Sequence, residues 1–259
     1  MKTYLKRIAY RNLSTYRYLR LLQKGYFTAY ATGLLKFSST YKYHYFVHRL
    51  IRKGDTVLDL GANLGYYSKL FARWVGPQGQ VHSVEPIQIY NEVFRKATSR
   101  YKNITLYPYA LGTEEKEITL ISPSYDGYMH TGLPHVYNPQ EEGKPSEKDL
   151  TFPAQMKIAS RLFSSLGHVD YIKCDIEGYE VVVLTDLKTL IAAHRPIVQV
   201  EVSGNNLDSI LSLFRSMQYL PYRLENKKLH LYAPAGRQDG EGDFLFIPEG
   251  DSRASGFMA

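Results

Sequence analysis

Short apolar runs alternate with helical periodicities along most of the chain. The runs rich in apolar and β-branched residues predict strands at residues 57–60, 81–84, 104–109, 169–174 and 196–202. Between them, apolar residues recur every three or four positions, which predicts helices at residues 66–75, 91–100, 154–166, 181–191 and 207–217. Strands alternating with helices are typical of a parallel sheet covered on both faces, so we expect one α/β domain.

The pattern changes in three later segments. Residues 118–121 are predicted to be an edge strand, and residues 219–224, 229–232 and 244–247 to complete the sheet as antiparallel strands. Seven prolines and glycines interrupt residues 122–150, as in a functional or disordered loop. We expect the first half of this insertion to be an ordered substrate lid and residues 251–259 to be a disordered tail.

The first part of the chain differs in composition from the rest. Residues 1–53 contain twelve lysines and arginines and no aspartate or glutamate, whereas the whole chain has a net charge of +7, so the remainder is net acidic. Apolar side chains spaced by three and four between Leu5 and Leu19 predict a basic amphipathic helix. This extension, residues 1–50, could pack on the main domain or on a second subunit, lie on an anionic membrane surface, or bind nucleic acid.

The composition excludes several classes of protein. The sequence contains no run of about 18 apolar residues, the length needed to span a bilayer, and no segment resembles a secretion signal. The single cysteine, Cys174, excludes an intramolecular disulfide framework and a cysteine-built metal site, and we expect it to be a buried thiol. We therefore expect a cytoplasmic protein, whose contact with a membrane, if it has one, is peripheral and made by residues 1–50.

Candidate chemistry collects where the predicted strands end. The first strand carries Asp59 and runs into a turn with Gly61 and Gly65, and such a turn before a helix suits an anionic group. Ligands of open parallel sheets bind beyond the carboxyl ends of the strands, so carboxylates at the other strand ends should face the same site. These carboxylates are Glu85, Asp175, Glu177 and Glu201.

The turn favours S-adenosylmethionine over a dinucleotide. Asn63 stands where the dinucleotide pattern has its second glycine, and the amino-acid end of S-adenosylmethionine needs no gap for a pyrophosphate. Glu85 follows the second strand, where a carboxylate can accept hydrogen bonds from both ribose hydroxyls.

Five segments, in order, resemble the FkbM family of methyltransferases. They are residues 57–68, 83–86, 110–112, 172–180 and 196–201, and the most specific is Ile-Lys-Cys-Asp-Ile-Glu-Gly-Tyr-Glu at 172–180. The resemblance implies a class I, Rossmann-like methyltransferase domain over residues 51–250, with a mostly parallel, twisted, seven-stranded sheet and helices on both faces. Members with known roles mostly methylate hydroxyl oxygens of sugars or natural products.

The resemblance also implies roles for single residues of the cofactor site. The glycine turn would wrap the methionine end of S-adenosylmethionine, the end of the second strand would hold the ribose, and residues after the third strand would lie beside the adenine. The residues so assigned are Gly61, Ala62, Asn63, Gly65 and one of Asp59 and Asp175 at the methionine end, Glu85 and Pro86 at the ribose, and Ala110 and Leu111 at the adenine.

Methyl transfer to a hydroxyl requires a positioned nucleophile and gains from a base that removes its proton. Glu177 is the first candidate for that base and His130 in the insertion the second, with Asp175 beside them. Asp175, Glu177 and Glu201 could instead converge on a divalent cation, although no metal is required.

The expected acceptor is a glycan, a glycolipid or a similar polyhydroxylated metabolite. Two alternatives are kept: a nucleic-acid methyltransferase that uses the basic extension, and a non-catalytic protein that binds a membrane or a partner. The first is disfavoured because the segment after the fourth predicted strand lacks the Pro-Pro-aromatic pocket common in enzymes that methylate base amino groups.

Overall fold

The apolar runs form the strands of a central sheet, as the sequence predicts. The computed structural model describes residues 2–122, 127–147, 149–203, 205–233 and 240–259. The strands in these ranges are β1 (Thr56–Leu60), β2 (Gln80–Val84), β3 (Ile104–Tyr107), β4 (Ala110–Gly112), β5 (Lys116–Ser122), β6 (His135–Val136), β7 (Leu150–Ile158), β8 (Tyr171–Cys174), β9 (Ile197–Val202), β10 (Tyr219–Glu225), β11 (Lys228–Leu231) and β12 (Gly242–Pro248).

Helices connect these strands and cover the sheet. The α-helices are α1 (Lys2–Asn12), α2 (Thr15–Ala31), α3 (Lys42–Phe46), α4 (Tyr66–Val75), α5 (Gln88–Thr98), α6 (Pro139–Glu142), α7 (Ala159–Leu162), α8 (Glu180–Asp186), α9 (Lys188–His194) and α10 (Leu207–Arg215). Short 3₁₀ helices lie at Leu34–Phe37, Ser39–Tyr41, Val47–Arg49 and Ser255–Phe257.

The main sheet has the order β11-β10-β12-β9-β8-β1-β2-β3. The five strands from β9 to β3 are parallel. Beyond β9, the strands β12, β10 and β11 follow in that order, each antiparallel to the strand before it. All four residues of β8 are buried, as expected for a strand with helices on both faces of its sheet. The sheet has one strand more than the seven that the resemblance implies, because the hairpin partner β11 extends its antiparallel edge.

A second sheet, with the order β4-β7-β5-β6, packs beside the first. It corrects the predicted helix at residues 154–166, since residues up to Ile158 belong to β7 and only the single turn of α7 follows. Leu150, Phe152, Ala154 and Met156 alternate with more exposed neighbours along β7, and this period of two fits pairing with β5. The insertion 122–150 is therefore the connection between two paired strands, although its residues 123–126 and 148 lie outside the described ranges.

The basic extension packs on the domain through its second helix. Ser14 caps α2 and separates it from α1, so the single helix expected from the spacing is two helices. Tyr18 and Leu19 are fully buried, and the side-chain amide of Gln23 donates to the carbonyl of Leu64 at 2.5 Å. Helix α2 therefore packs on the main domain of the same chain, which is the first of the three interpretations of the extension.

The C-terminal residues are ordered, which corrects the tail expected at 251–259. The guanidinium of Arg253 is ion-paired with Asp251 at 2.5 Å and donates to the carbonyl of Asp170 at 3.0 Å. Ala254 is fully buried, and the amide of Ala259 donates to the carbonyl of Leu229. These contacts fix the end of the chain against the antiparallel edge of the main sheet.

In the part of the chain that the structure describes, no helix combines the length and apolarity needed to cross a bilayer.

Truncation of a buried leucine of α2 tests whether the extension is part of the folded domain. Leu19→Ala is expected to lower the free energy of unfolding by about 2–5 kcal/mol, because it removes a fully buried side chain and leaves a cavity. Leu21→Ala on the same helix, where the side chain is 51% exposed, should change it by less than about 0.5 kcal/mol. Urea unfolding measures both variants, and equal stabilities would contradict the packing.

Candidate active site

The ends of β1 and β8 come together at Gly61. A Cβ on Gly61 would lie 1.7 Å from the carbonyl oxygen of Asp175, and the residue has a φ of +83°, so glycine is required on both counts. The amide of Asp175 donates to the carbonyl of Leu60 at 3.1 Å. Since β2 and β8 flank β1 and the connections leave on opposite sides, this is the switch point of the sheet, where ligands of such folds bind.

Asn63 connects three parts of this region. Its amide donates to Oε2 of Glu85 at 2.9 Å, and its Nδ2 donates to the carbonyl of Thr131 at 2.6 Å. Its Oδ1 accepts from the amide of Leu64 at 2.8 Å, which supports a left-handed backbone with φ of +50°. One side chain therefore joins the turn after β1 to residues 127–137, which we call the lid.

A cavity of about 270 Å³ lies at this junction. Small-molecule sites begin at about this volume, and they pair apolar walls with a few polar groups. Its lining residues are Gly61, Asn63, Val84, Glu85, Pro86, Ile87, Tyr90, Tyr109, Ala110, Leu111, Leu120, Thr131, Gly132, Pro134, His135, Val136, Asp175, Ile176, Glu177, Tyr179 and Glu201.

Glu85 is held rigidly in the cavity wall. Its Oε1 accepts from the amide of Ile87 at 2.8 Å, while its Oε2 accepts from Asn63. Burial raises the pKa of Glu85 from 4.5 to about 7, against the two amide hydrogen bonds, which favour the charged form. Each oxygen keeps a further lone pair, so the carboxylate can still accept from two hydroxyls of a ligand.

The apolar part of the cavity contains one polar group without a partner. Ile87, Ala110 and Leu111 are all less than 10% exposed. Tyr90 is 1% exposed, and its hydroxyl makes no hydrogen bond to any described residue. Because buried polar groups in native proteins are nearly always paired, this hydroxyl is suited to a ligand in the cavity.

Two carboxyl groups at the ends of β8 and β9 share a proton. Lys173, which is 4% exposed, places its Nζ 2.7 Å from Oδ2 of Asp175. Burial opposes the charged form of Asp175, but Lys173 and a hydrogen bond from Glu201 outweigh it and lower the pKa of Asp175. The charge of Asp175 and that hydrogen bond raise the pKa of Glu201 to about 9. Asp175 is thus the charged member of the pair and Glu201 the protonated one.

Glu177 occupies the turn between β8 and α8. Glu180 accepts hydrogen bonds from the amides of Ile176 and Gly178 and so fixes this turn. Glu177 has a φ of +51°, a left-handed conformation that costs a residue other than glycine about 1–3 kcal/mol. Burial of its carboxyl, together with the nearby charge of Asp175, raises the pKa of Glu177 to about 7. A Cβ on Gly132 of the lid would lie 3.6 Å from Oε1 of Glu177, so the carboxylate faces the lid.

The lid contributes His135 and not His130 to the cavity. The ring of His130 stacks on Tyr128 with the centroids 4.3 Å apart and does not line the cavity, which corrects its selection as the second candidate base. His135 lies in the wall, and its Nε2 is 2.8 Å from Oε2 of Glu142. Burial opposes its charged form, but the hydrogen bond with Glu142 outweighs this and raises the pKa of His135.

Seven of the residues assigned to the cofactor surround the cavity, and three do not line it. The seven are Gly61, Asn63, Glu85, Pro86, Ala110, Leu111 and Asp175. Asp59 is fully buried below the turn and accepts a hydrogen bond from Ser68, so Asp175 is the carboxylate available to an ammonium group. Ala62 and Gly65 shape the turn: the amide of Ala62 donates to the carbonyl of Val84, and Gly65 packs closely on Phe94.

Several cavity residues had no signal in the sequence. Tyr90 belongs to the first turn of α5, Tyr179 to the turn before α8 and His135 to the two-residue strand β6, so only the fold brings them to the strand ends. The position of Tyr90 five residues after Glu85 is the one cue that could have indicated it.

Among the described residues, no three His, Cys, Asp or Glu side chains are arranged to hold a metal ion. Cys174 is a free, buried thiol, as expected.

The cavity fits S-adenosylmethionine by the chemistry of its lining. Charged Asp175 would accept from the ammonium group at the turn, Glu85 from the ribose hydroxyls, and the wall of Ile87, Ala110 and Leu111 would contact the adenine.

Replacement of Tyr90 by phenylalanine tests the unpaired hydroxyl. Tyr90→Phe should lower the affinity for S-adenosylhomocysteine about three- to tenfold, the value of one neutral hydrogen bond. Its free energy of unfolding should not fall, since the hydroxyl has no partner in the described structure. Calorimetric titration gives the affinity, with Tyr4→Phe, at a 66% exposed site, as control. Unchanged affinity would remove Tyr90 from the ligand site.

The raised pKa of Glu85 makes stability depend on pH. The folded protein holds this proton more tightly than the unfolded chain, so the free energy of unfolding falls as the pH rises from 4.5 to about 7. The contribution of Glu85 is about 3 kcal/mol between about pH 4 and pH 8. Glu85→Gln should remove it, whereas Glu92→Gln, on the solvent face of α5, should not. Urea unfolding at several pH values in this range measures the effect. If the free energy of unfolding of wild type and of Glu85→Gln changed in parallel with pH, the raised pKa of Glu85 would be refuted.

Comparison with known proteins identifies the family. The model of the methyltransferase FkbM domain matches residues 59–221. A crystal structure of methyltransferase FkbM from Methylobacillus flagellatus KT covers 75% of this chain and 44% of that chain, with a TM-score of 0.51 and 14% identity. Fibrillarin from Aeropyrum pernix, solved with natively bound S-adenosyl-L-methionine, covers 75% of this chain and 66% of that chain, with a TM-score of 0.40 and 11% identity.

A curated relative matches over a shorter segment. Protein-L-isoaspartate O-methyltransferase from Methanothrix thermoacetophila is 38% identical over 58 residues, which are 22% of this chain and 28% of that protein. The chain therefore matches less than a third of this relative's length. The class I fold and S-adenosylmethionine as the cofactor of the family, both predicted from the sequence, are confirmed by the match to the family. Because the family model covers more than half of its residues, the chain belongs to the FkbM family of methyltransferases.

Proposed function

We propose that this chain transfers a methyl group from S-adenosylmethionine to a hydroxyl oxygen of a glycan, a glycolipid or a similar polyhydroxylated acceptor. The observation that carries the proposal is the carboxylate of Glu177, which lies in the cavity wall, faces the lid and has its pKa raised to about 7. A carboxylate with such a pKa can accept a proton at neutral pH, which a hydroxyl acceptor must lose as its oxygen is methylated.

Bound S-adenosylmethionine supplies a methyl group that its positive sulfur already activates. The protein's part is to position the acceptor, to remove its proton and to exclude water. Glu177 is the base in this proposal, and Asp175 stays charged because Lys173 is beside it. The lid is held over the site by the hydrogen bond from Asn63 to the carbonyl of Thr131. His135 stands in the same wall, where Glu142 and the carbonyl of Leu133 hold both of its ring nitrogens.

The surface outside the cavity supports a polyhydroxylated acceptor. An open hollow of about 470 Å³ adjoins the cavity and shares Asp175, Glu177 and Glu201 with it. Glu180 and Glu241 also line this hollow. Carboxyl groups accept hydrogen bonds from hydroxyls, and the protonated Glu201 can also donate one, so the hollow suits the hydroxyl groups of a sugar or polyol. The charge of Asp175 repels phosphates, which disfavours a nucleic-acid acceptor at this site.

The buried, free thiol of Cys174 supports a reducing compartment, so we place the activity in the cytoplasm.

Removal of the charge at position 177 tests the assignment of the base. Glu177→Gln should lower kcat about 10²- to 10⁴-fold and leave the affinity for S-adenosylhomocysteine nearly unchanged, because the change removes a proton acceptor and little volume. In wild type, kcat/KM should rise with pH to a plateau above about 7, where the carboxylate is deprotonated. The rate is measured as the transfer of a labelled methyl group from S-adenosylmethionine to a panel of methyl glycosides and glycolipids.

A matched control is available in α6, which follows the lid. Glu141→Gln makes the same chemical change at an exposed carboxylate that does not line the cavity, and it should retain wild-type kcat. Methylation of RNA with no methylation of any hydroxyl compound in the panel would overturn the proposed acceptor class. Failure to bind S-adenosylmethionine would favour the non-catalytic alternative.

A further inference from the structure

Exposed apolar side chains are concentrated in the acid-free part of the chain. Eight large apolar side chains are more than a third exposed in the described ranges, and six of them lie within residues 1–37. The two most exposed in the 3₁₀ turn that follows α2 are Phe37, at 90%, and Leu34, at 63%. Their exposure leaves apolar area in water that a partner could cover.

A cationic cavity adjoins this turn. It has a volume of about 480 Å³ and is lined by Lys36 of the turn, by Lys69 and Arg73 of α4, and by aromatic residues that include Phe27 and Tyr45. Lys69 places its Nζ 4.0 Å from the centre of the Phe27 ring, and Lys36 lies 5.4 Å from that of Tyr45. The ammonium groups of Lys69 and Lys36 therefore lie against aromatic rings of the cavity wall.

No carboxylate compensates these charges. The lining of the cavity contains no aspartate or glutamate, and none of Lys36, Lys69 and Arg73 forms an ion pair within the described ranges. Burial, and then the neighbouring charges of Arg100 and Arg20, lower the pKa of Lys69. An anion that entered the cavity would relieve this repulsion, and a phosphate group has the charge and the acceptors to do so.

We propose that the turn Leu34–Phe37 and the cavity beside it bind an anionic phospholipid at a membrane surface. The phosphate of the headgroup lies among Lys36, Lys69 and Arg73, and Leu34 and Phe37 enter the boundary between headgroups and acyl chains. Peripheral proteins bind membranes through this combination of buried apolar area and attraction to anionic lipid.

Charge and apolarity together distinguish this occupant from the others. A second copy of the chain would bring two surfaces rich in lysine and arginine and poor in carboxylates against each other. Nucleic acid would satisfy the cations but would leave Leu34 and Phe37 in water. A bilayer with anionic headgroups satisfies both. The proposal goes beyond methyl transfer and does not depend on it, although it would place the active site near lipid-linked acceptors.

Co-sedimentation with lipid vesicles tests the proposal on the full chain. Partitioning should be at least about tenfold stronger onto vesicles of phosphatidylcholine with phosphatidylglycerol than onto phosphatidylcholine alone, and should fall as salt rises. Phe37→Ser, and separately the pair Lys36→Glu and Arg73→Glu, should each lower partitioning onto anionic vesicles about tenfold.

Two controls match these changes elsewhere on the surface. Leu231→Ser alters a leucine that is 57% exposed at the sheet edge, and Lys188→Glu reverses an exposed charge on α9. Both should partition like wild type. Thermal unfolding should show every variant folded, and methylation of a soluble acceptor should be unchanged, so that a failure here is separate from a failure of the proposed reaction.

Four results would overturn the proposal. Equal partitioning onto the two vesicle types, or equal partitioning of the test and control variants, would exclude a lipid site at this turn. Calorimetric binding of inorganic phosphate without vesicle binding would assign the cavity to a soluble anion. Self-association or RNA binding that is lost in Phe37→Ser, again without vesicle binding, would assign the surface to that partner.

Discussion

The carboxyl ends of β1 and β8 approach so closely at Gly61 that a methyl group there would overlap the carbonyl oxygen of Asp175. This contact determines how the turns that follow the two strands are placed relative to each other. Because the two strands meet, the turn that follows β1 and the turn that holds Glu177 open into one cavity. A carboxylate kept charged by Lys173 and a carboxylate with a pKa near neutrality then lie within the same small volume. In the proposed reaction, this spacing allows one carboxylate to bind the donor and the other to deprotonate the acceptor.

Much of this could be predicted from residues whose environment is set locally. The parallel strands and the carboxylates at their ends follow from periodicity and from where parallel strands terminate. The spacing of apolar residues by three and four predicts that a helix begins at residue 154. In the structure, residue 154 belongs to β7, because pairing with β5 requires side chains that alternate between the two faces of a strand. The sequence places Asp59 near the cofactor, yet its side chain is fully buried below the turn, where its Oδ2 accepts from the hydroxyl of Ser68 on the next helix. Tyr90 and His135 were missed because only tertiary contacts place them.

Hydrogen bonds from α2 join the basic extension to the lid and to the turn after β1. The hydroxyl of Tyr18 donates to the carbonyl of Met129, and the amide of Gln23 donates to the carbonyl of Leu64 in the turn after β1. Helix α2 thus contacts both the cover of the cavity and its floor. The sequence alone presents the two as separate regions, because only tertiary contacts join them.

Strand β12 lies between β9 and β10 in the sheet, although it comes last in the chain. Phe244, Leu245 and Phe246 are fully buried there, and they follow the end of the family match at residue 221. Helix α2, with Leu19 in the core, precedes its start at residue 59. A fragment cut at the limits of the family would lack an interior strand and the helix that covers the turn. The cooperative folding unit is therefore larger than the segment by which the family is recognised, and its two ends meet the core from opposite directions of the chain.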